Sequence, residues 1–148
     1  IPKDEGGARV AARTEVECLA EVSIASSPLR ETRYSLVRAR PHEGRFHQVR
    51  RHAKHIGAPI LGDANYGRAE HNRLLRDRFG LTRLALHAES ITLPHPESGE
   101  PHTLFVKLPD DMRVALEAMG FALDAACQTS QFGPTASVSP QPSRPPTP

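Results

Sequence analysis

The sequence predicts an α+β domain built on a mixed, mostly antiparallel sheet with flanking helices. Three observations predict it. Two β-rich runs, Thr14–Ile24 and Thr32–Ala39, alternate apolar and polar residues across a Ser-Ser-Pro turn at 26–28. The period then switches to three and four between Phe46 and Ile56. A second pair of β-type runs follows, and after it a short segment with helix signals at both ends.

Taken in order, TEVECLAEVSI (14–24) is rich in β-formers, and TRYSLVRA (32–39) sends Tyr34, Leu36 and Arg38 to one face. The two runs are expected to pair as a hairpin. PHEG at 41–44 breaks the second strand. Phe46, Val49, Ala53 and Ile56 form the apolar stripe of an amphipathic helix over 46–56, with Gly57 as its stop. APILGDANYG (58–67) is a loop punctuated by Pro and Gly, and EHNRLLRDRF (70–79) is a short helix ended by Gly80. RLALHAESITL (83–93) reads as a strand, PHPESGEP (94–101) as a turn and 103–108 as the return strand. Asp110–Met119 follows Pro109, carries acids in its first turn and meets Gly120, so it reads as a helix.

The 148 residues suffice for one domain with a real core. The apolar fraction is 38% and there are 14 Pro, many of them in GPTASVSPQPSRPPTP (133–148), a run with too little aliphatic surface to offset its ordering entropy. We expect a linker or loop over 1–12, a folded domain over 13–123 and a disordered Pro/Ser-rich tail over 124–148. The chain starts at Ile1 inside loop-like sequence and reads as a fragment of a longer protein. Cys18 and Cys127 lack metal-ligand spacing and fit reduced thiols. No apolar run reaches the roughly 18 residues of a membrane helix, and the expectation is a cytoplasmic, monomeric protein with no membrane contact.

The net charge of +2 conceals segregation. Between Arg30 and His87 there are 13 Arg or Lys against 5 Asp or Glu, a local +8, with six of the eight His; the rest of the chain carries −6. An anionic partner for the middle of the chain, nucleic acid above all, fits this pattern. The focus is GRFHQVRRHAKH (44–55), with four basic residues and three His. At about 100° per residue, Arg50 lies at the edge of the apolar stripe, where a guanidinium requires a partner, best a bidentate carboxylate. The remaining cations make a face for phosphates, and Phe46 or the His rings could stack on a base. A solvated basic face, an RNA surface and a metal site on His47, His52 and His55 all remain open, although that spacing matches no established zinc pattern. Asp63 reads as a turn-capping aspartate and His87 as a core histidine.

GRFHQVR (44–50), His52, PILGDANYG (59–67), RLALHA (83–88) and HPESGEP (95–101) occur together in this order. The series resembles the second half of the catalytic domain of RluA-type RNA pseudouridine synthases, and HNRLLRDRFGL (71–81) is most similar to the TruC branch, which acts on tRNA, with rRNA-directed synthases next. The resemblance spans roughly 12–120. It implies an isomerase that breaks the C1′–N1 bond of a uridine and rejoins the base through C5, with no cofactor and no metal. It also implies that Arg50 orients a nucleophilic aspartate, that Leu86 or Leu84 walls the base, and that Arg45, His47, Gln48, Arg51, His52, Lys54 and Arg73 face RNA. The nucleophile of that family sits in an H-R-L-D stretch. None of Asp4, Asp63, Asp77, Asp110, Asp111 and Asp124 has that context, so the chain alone is expected to be inactive, either as part of a working synthase or as a non-catalytic RNA-binding remnant.

Overall fold

The computed structural model describes residues 11–26 and 29–123. The 124–148 tail with Cys127, most of the 1–12 linker and residues 27–28 of the first turn lie outside the described residues. The fold is α+β: strands β1 (Thr14–Ser26) and β2 (Arg30–Pro41), helices α1 (Gln48–His55) and α2 (Ala69–Phe79), strands β3 (Ser90–Pro94) and β4 (Pro101–Phe105), and helix α3 (Asp110–Met119). Among the described residues the strands form two separate antiparallel hairpins, β1–β2 and β3–β4, rather than one sheet.

β1 and β2 pair from Thr14↔Pro41 to Ser26↔Arg30, with a bulge between Cys18 and Ala20 that resets which residues share a face. Ile24 and Tyr34 are buried on the face that meets the helices, whereas Val16, Val37 and Cys18 on the other face stay exposed. α2 and α3 supply the rest of the core: Leu75 with Leu81 just past its helix, then Met112, Ala115, Leu116 and Met119. Phe121 and Leu123 close it. The 3.6 period of α3 explains the choice, since 112, 115, 116 and 119 form one stripe. Gly80 and Gly120 end their helices in the left-handed region, at φ 73° and 102°, a conformation that suits glycine. Burial at Tyr34 is completed by a polar link: its hydroxyl lies 2.9 Å from Nδ1 of His71 on α2. Burial raises the Tyr34 pKa and lowers that of His71, so the pair is a neutral one.

Three expectations are corrected. RLALHA (83–88) is not a strand: an extended chain becomes one only when a neighbour takes its ladder, and here the segment makes a single such bond to the glycine loop, Ala85 N–H to Leu61 C=O at 2.8 Å. Regular pairing starts only at Ser90. The basic helix is also shorter than its apolar stripe. Phe46 sits in a turn before α1, and Phe46 and Ile56, the two ends of the stripe, are largely exposed. His87, expected in the core, is only partly covered and its Nε2 lies 3.0 Å from the Val106 carbonyl.

One face of the β3–β4 hairpin is aliphatic. Ile91 pairs with Leu104 and Leu93 with His102, and Val106 continues that face through its bond to Glu89. The opposite face is mixed, with exposed Phe105 across from Ser90 and the Thr92–Thr103 hydroxyl pair at 2.8 Å. All four aliphatic residues of the first face are exposed. A salt bridge joins this hairpin to β2: Nε and Nη2 of Arg38 donate to the two carboxylate oxygens of Glu89 at 2.9 and 3.0 Å. Arg38 thereby holds the Glu89 carboxyl below the usual carboxylate range. Exposed side chains contribute little to folding, so replacing both Ile91 and Leu104 by Thr is expected to shift the melting temperature by no more than about 4 °C. The same double variant should lower the tendency to aggregate; light scattering on heating checks the second outcome and circular dichroism the first.

Candidate RNA-facing site

The site grows from the start of β1. Gln48, the most buried residue of α1 at 6% exposure, turns its amide inward. Its Nε2 donates to the Arg13 carbonyl at 2.8 Å and to Thr14 Oγ1 at 3.2 Å, while its Oε1 accepts from the Arg45 N–H. His52, one turn on, places Nδ1 2.9 Å from Thr14 Oγ1. These bonds fix the eight-residue helix against the strand although it lacks a side-chain N-cap and any acid in its first turn. Gln48 and His52, both expected on the RNA face, thus anchor α1 to the start of β1, Gln48 buried and His52 half-buried. A polar residue on the inward side of a helix reads as exposed when only apolar residues are counted.

The face opposite β1 meets the glycine loop. Arg50 Nε and Nη2 each donate to one oxygen of Asp63 at 2.8 Å, a bidentate pair. The Asp63 side chain is fully buried and Arg50 is 17% exposed. The carboxylate that the helix geometry asked for thus comes from within the chain, and Asp63 is the only acidic residue between Glu43 and Glu70. Asp63 also caps its own turn, since Oδ1 accepts the N–H groups of Asn65 and Tyr66 at 2.9 Å. Its backbone carbonyl takes the Gly67 N–H and Asn72 Nδ2, and Asn72 Oδ1 accepts from Gly62 N–H at 2.8 Å. One side chain from α2 therefore holds the loop at Gly62 and Asp63.

This closeness dictates two glycines. A Cβ on Gly62, at φ 73°, would fall on the Arg83 carbonyl. A Cβ on Gly67 would fall on the Asp63 carbonyl. Both obstacles are backbone and cannot swing aside.

Tyr66 emerges as a hub that the sequence did not single out. The Arg50 guanidinium lies 5.1 Å from its ring centroid and Lys54 Nζ 5.7 Å. Its hydroxyl is 3.3 Å from His47 Nδ1. His47 is a non-glycine residue in the left-handed region, φ 52°, and its ring stacks on Phe46 with centroids 3.8 Å apart. Arg45 and Lys54 are exposed and Arg51 half-buried. Arg73 is exposed at the rim of a shallow depression of about 360 Å³ lined by Asp63, Gly67, Asn72 and Arg76. Leu84 and Leu86 stand in the irregular segment after Arg83, partly exposed. The structure thus brings His47, Arg50 and Lys54 together around Tyr66, with Arg73 beside the same loop. Among the described residues there is no group of three His, Cys, Asp or Glu able to hold a metal, and no helix long and apolar enough to cross a membrane.

The arrangement is a fixed arginine–aspartate pair under a basic, aromatic surface. No family model matches the chain. Curated relatives do: it is 46% identical over 85 residues (57% of this chain, 23% of the relative) to a protein of Pectobacterium carotovorum subsp. carotovorum. It is 52% identical over 73 residues (49% and 30%) to one of Pasteurella multocida, and 38% identical over 101 residues (68% and 41%) to one of Vibrio cholerae. All three of these relatives carry the name tRNA pseudouridine synthase C, and the chain is similar to part of each. It spans less than half the length of each of them.

The pair with Arg50, followed by the two N–H bonds, lowers the Asp63 pKa from 3.8 to about 2. A depressed carboxyl contributes stability that is present above 3.8 and is lost as the pH falls from 3.8 through 2. The shift corresponds to roughly 2 kcal/mol. Asp63→Asn keeps the turn acceptor but leaves Arg50 without its counter-charge, and is expected to cost about 3 kcal/mol at pH 7. It should also flatten the pH dependence of stability between pH 4 and pH 2. Urea denaturation of both proteins at a series of pH values checks both outcomes. An unchanged acid limb would mean that the pair does not hold in solution.

Proposed function

We propose that this chain is the RNA-holding portion of an RNA pseudouridine synthase, acting on a uridine in tRNA, and that Arg50 is the residue that orients the nucleophilic aspartate. The observation that carries the reading is the GRFHQVR segment folded so that Arg50 is rigidly aimed while its basic neighbours stay at the surface. A guanidinium has five N–H donors, and Asp63 takes only Nε and Nη2. The remaining donors, chiefly on Nη1, suit a second carboxylate.

Asp63 itself is unsuited to be the nucleophile. Its side chain is wholly buried, both oxygens are engaged, and its basicity is depressed. It acts instead by holding Arg50 in one rotamer, which is what positioning a reacting carboxylate demands. The catalytic aspartate belongs to an H-R-L-D stretch that the chain lacks, so the 148 residues alone are inactive in this reading. Arg45, Arg51, Lys54 and Arg73 would meet phosphates around a uridine taken out of its stack, a step that costs a few kcal/mol. Leu86, with Leu84, would give the base an apolar wall. No cofactor or metal is needed. An RNA-binding remnant without catalysis is the second reading, favoured by the same lack of H-R-L-D.

A chimaera separates the two. Residues 12–120 are placed in the corresponding segment of a tRNA pseudouridine synthase C, and tritium release from 5-labelled uridine in tRNA is followed. Turnover is expected, with Arg50→Ala abolishing it while tRNA affinity changes by no more than about threefold, because the arginine faces a carboxylate rather than phosphate. A folded chimaera that binds tRNA without turnover would favour the remnant. Equal loss of binding and turnover in Arg50→Ala would make Arg50 a phosphate contact. The 148-residue chain by itself should bind tRNA with an affinity that falls steeply with salt and release no tritium.

A further inference from the structure

Phe46 is the most exposed of the large apolar side chains among the described residues, at 70%. Packing gives no reason for it, since it precedes α1 and lies outside the core. Its surroundings are unlike those of the exposed aliphatic face on β3–β4. Arg45 and His47 flank it in sequence, and its ring lies on the His47 imidazole at 3.8 Å and 27°. The imidazole is held in turn: Nδ1 meets the Tyr66 hydroxyl, and the Tyr66 ring stands edge-on at 82°. His47 keeps a left-handed backbone, φ 52° and ψ 30°, which a non-glycine residue adopts at a cost of about 1 kcal/mol or more. The fold thus spends strain to present one aromatic ring to solvent, backed by a second ring and flanked by cations.

We propose that Phe46, backed by His47, is a stacking platform for an unpaired nucleobase of the RNA strand that the basic surface holds. This rests on the RNA-binding reading above and adds to it a site for a base rather than for a phosphate. A planar, rigidly supported ring with one face on His47 and most of its surface in solvent suits a second planar ring, and stacking tolerates any base. The cations Arg45 and Lys54 supply the backbone contacts that a stacked nucleotide requires.

The test uses the full chain and two fluorescein-labelled probes of equal charge, a uridine 12-mer RNA and an abasic ribose-phosphate 12-mer, read by fluorescence anisotropy. Wild type is expected to bind the uridine probe about tenfold more tightly than the abasic one. Phe46→Ala should lose that preference without changing the salt dependence, Phe46→Trp should keep it, and Phe46→Leu should behave as Ala. Since Phe46 stands exposed outside any helix or strand, all three variants are expected to fold, which circular dichroism verifies. Unchanged affinity in Phe46→Ala, or full affinity in Phe46→Leu, overturns the platform. If Arg45→Ala with Lys54→Ala then still weakens binding and its salt dependence, RNA binding stands without the platform. Absence of binding to either probe by wild type overturns both.

Discussion

The bidentate pair between Arg50 and Asp63 is the constraint on which the basic surface depends. It joins α1 to the glycine loop, and through the Asp63 carbonyl and Asn72 it reaches α2. Without it, the guanidinium would stand half-buried with no counter-charge and the loop would lose the acceptor that closes its turn. The aromatic part of the surface adjoins it: the Tyr66 N–H bonds to Asp63, the Tyr66 hydroxyl meets His47, and His47 stacks on Phe46. An ion pair buried this deeply contributes specificity of arrangement as much as stability, and here the arrangement is a cation held in one place beside a more exposed basic surface.

Much of this was legible in the residues. α3 was legible to the residue because Pro109, two acids and Gly120 mark its ends. The first hairpin was legible because alternation over more than ten residues has few other readings. Arg50's need for a carboxylate followed from helix geometry, and the turn-capping role of Asp63 from its place before Ala64-Asn65. That these were one interaction was not inferred, although Asp63 is the single acid available between Glu43 and Glu70. Family resemblance had directed Arg50 towards an aspartate elsewhere.

The misreadings share a cause. Phe46 and Ile56 were counted into a helix stripe by spacing, but spacing cannot say whether a partner surface exists to bury them. RLALHA has the composition of a strand and no neighbour to pair with along its length. Gln48 is buried although polar because its amide bonds to Arg13 and Thr14, and His52 Nδ1 meets the same Thr14, partners that sit 34 or more residues away in sequence. Non-local partners are what a single sequence conceals best. The same holds for Arg38 with Glu89 and Tyr34 with His71, neither of which any local pattern announces.

The two hairpins have a further consequence, for the order in which the chain folds. Each pairs strands that are close neighbours in sequence, and the Arg50–Asp63 pair closes a span of 13 residues. Contacts of this kind form early because little chain entropy is lost in closing them. Long-range joins include Arg78 to the Ala25 carbonyl across 53 residues, Arg38 to Glu89 across 51, His52 to Thr14 across 38 and Tyr34 to His71 across 37. The docking of locally formed pieces at such joins is expected to be the slow event of folding. The glycine loop and the start of the basic helix would be in place before the core closes behind them.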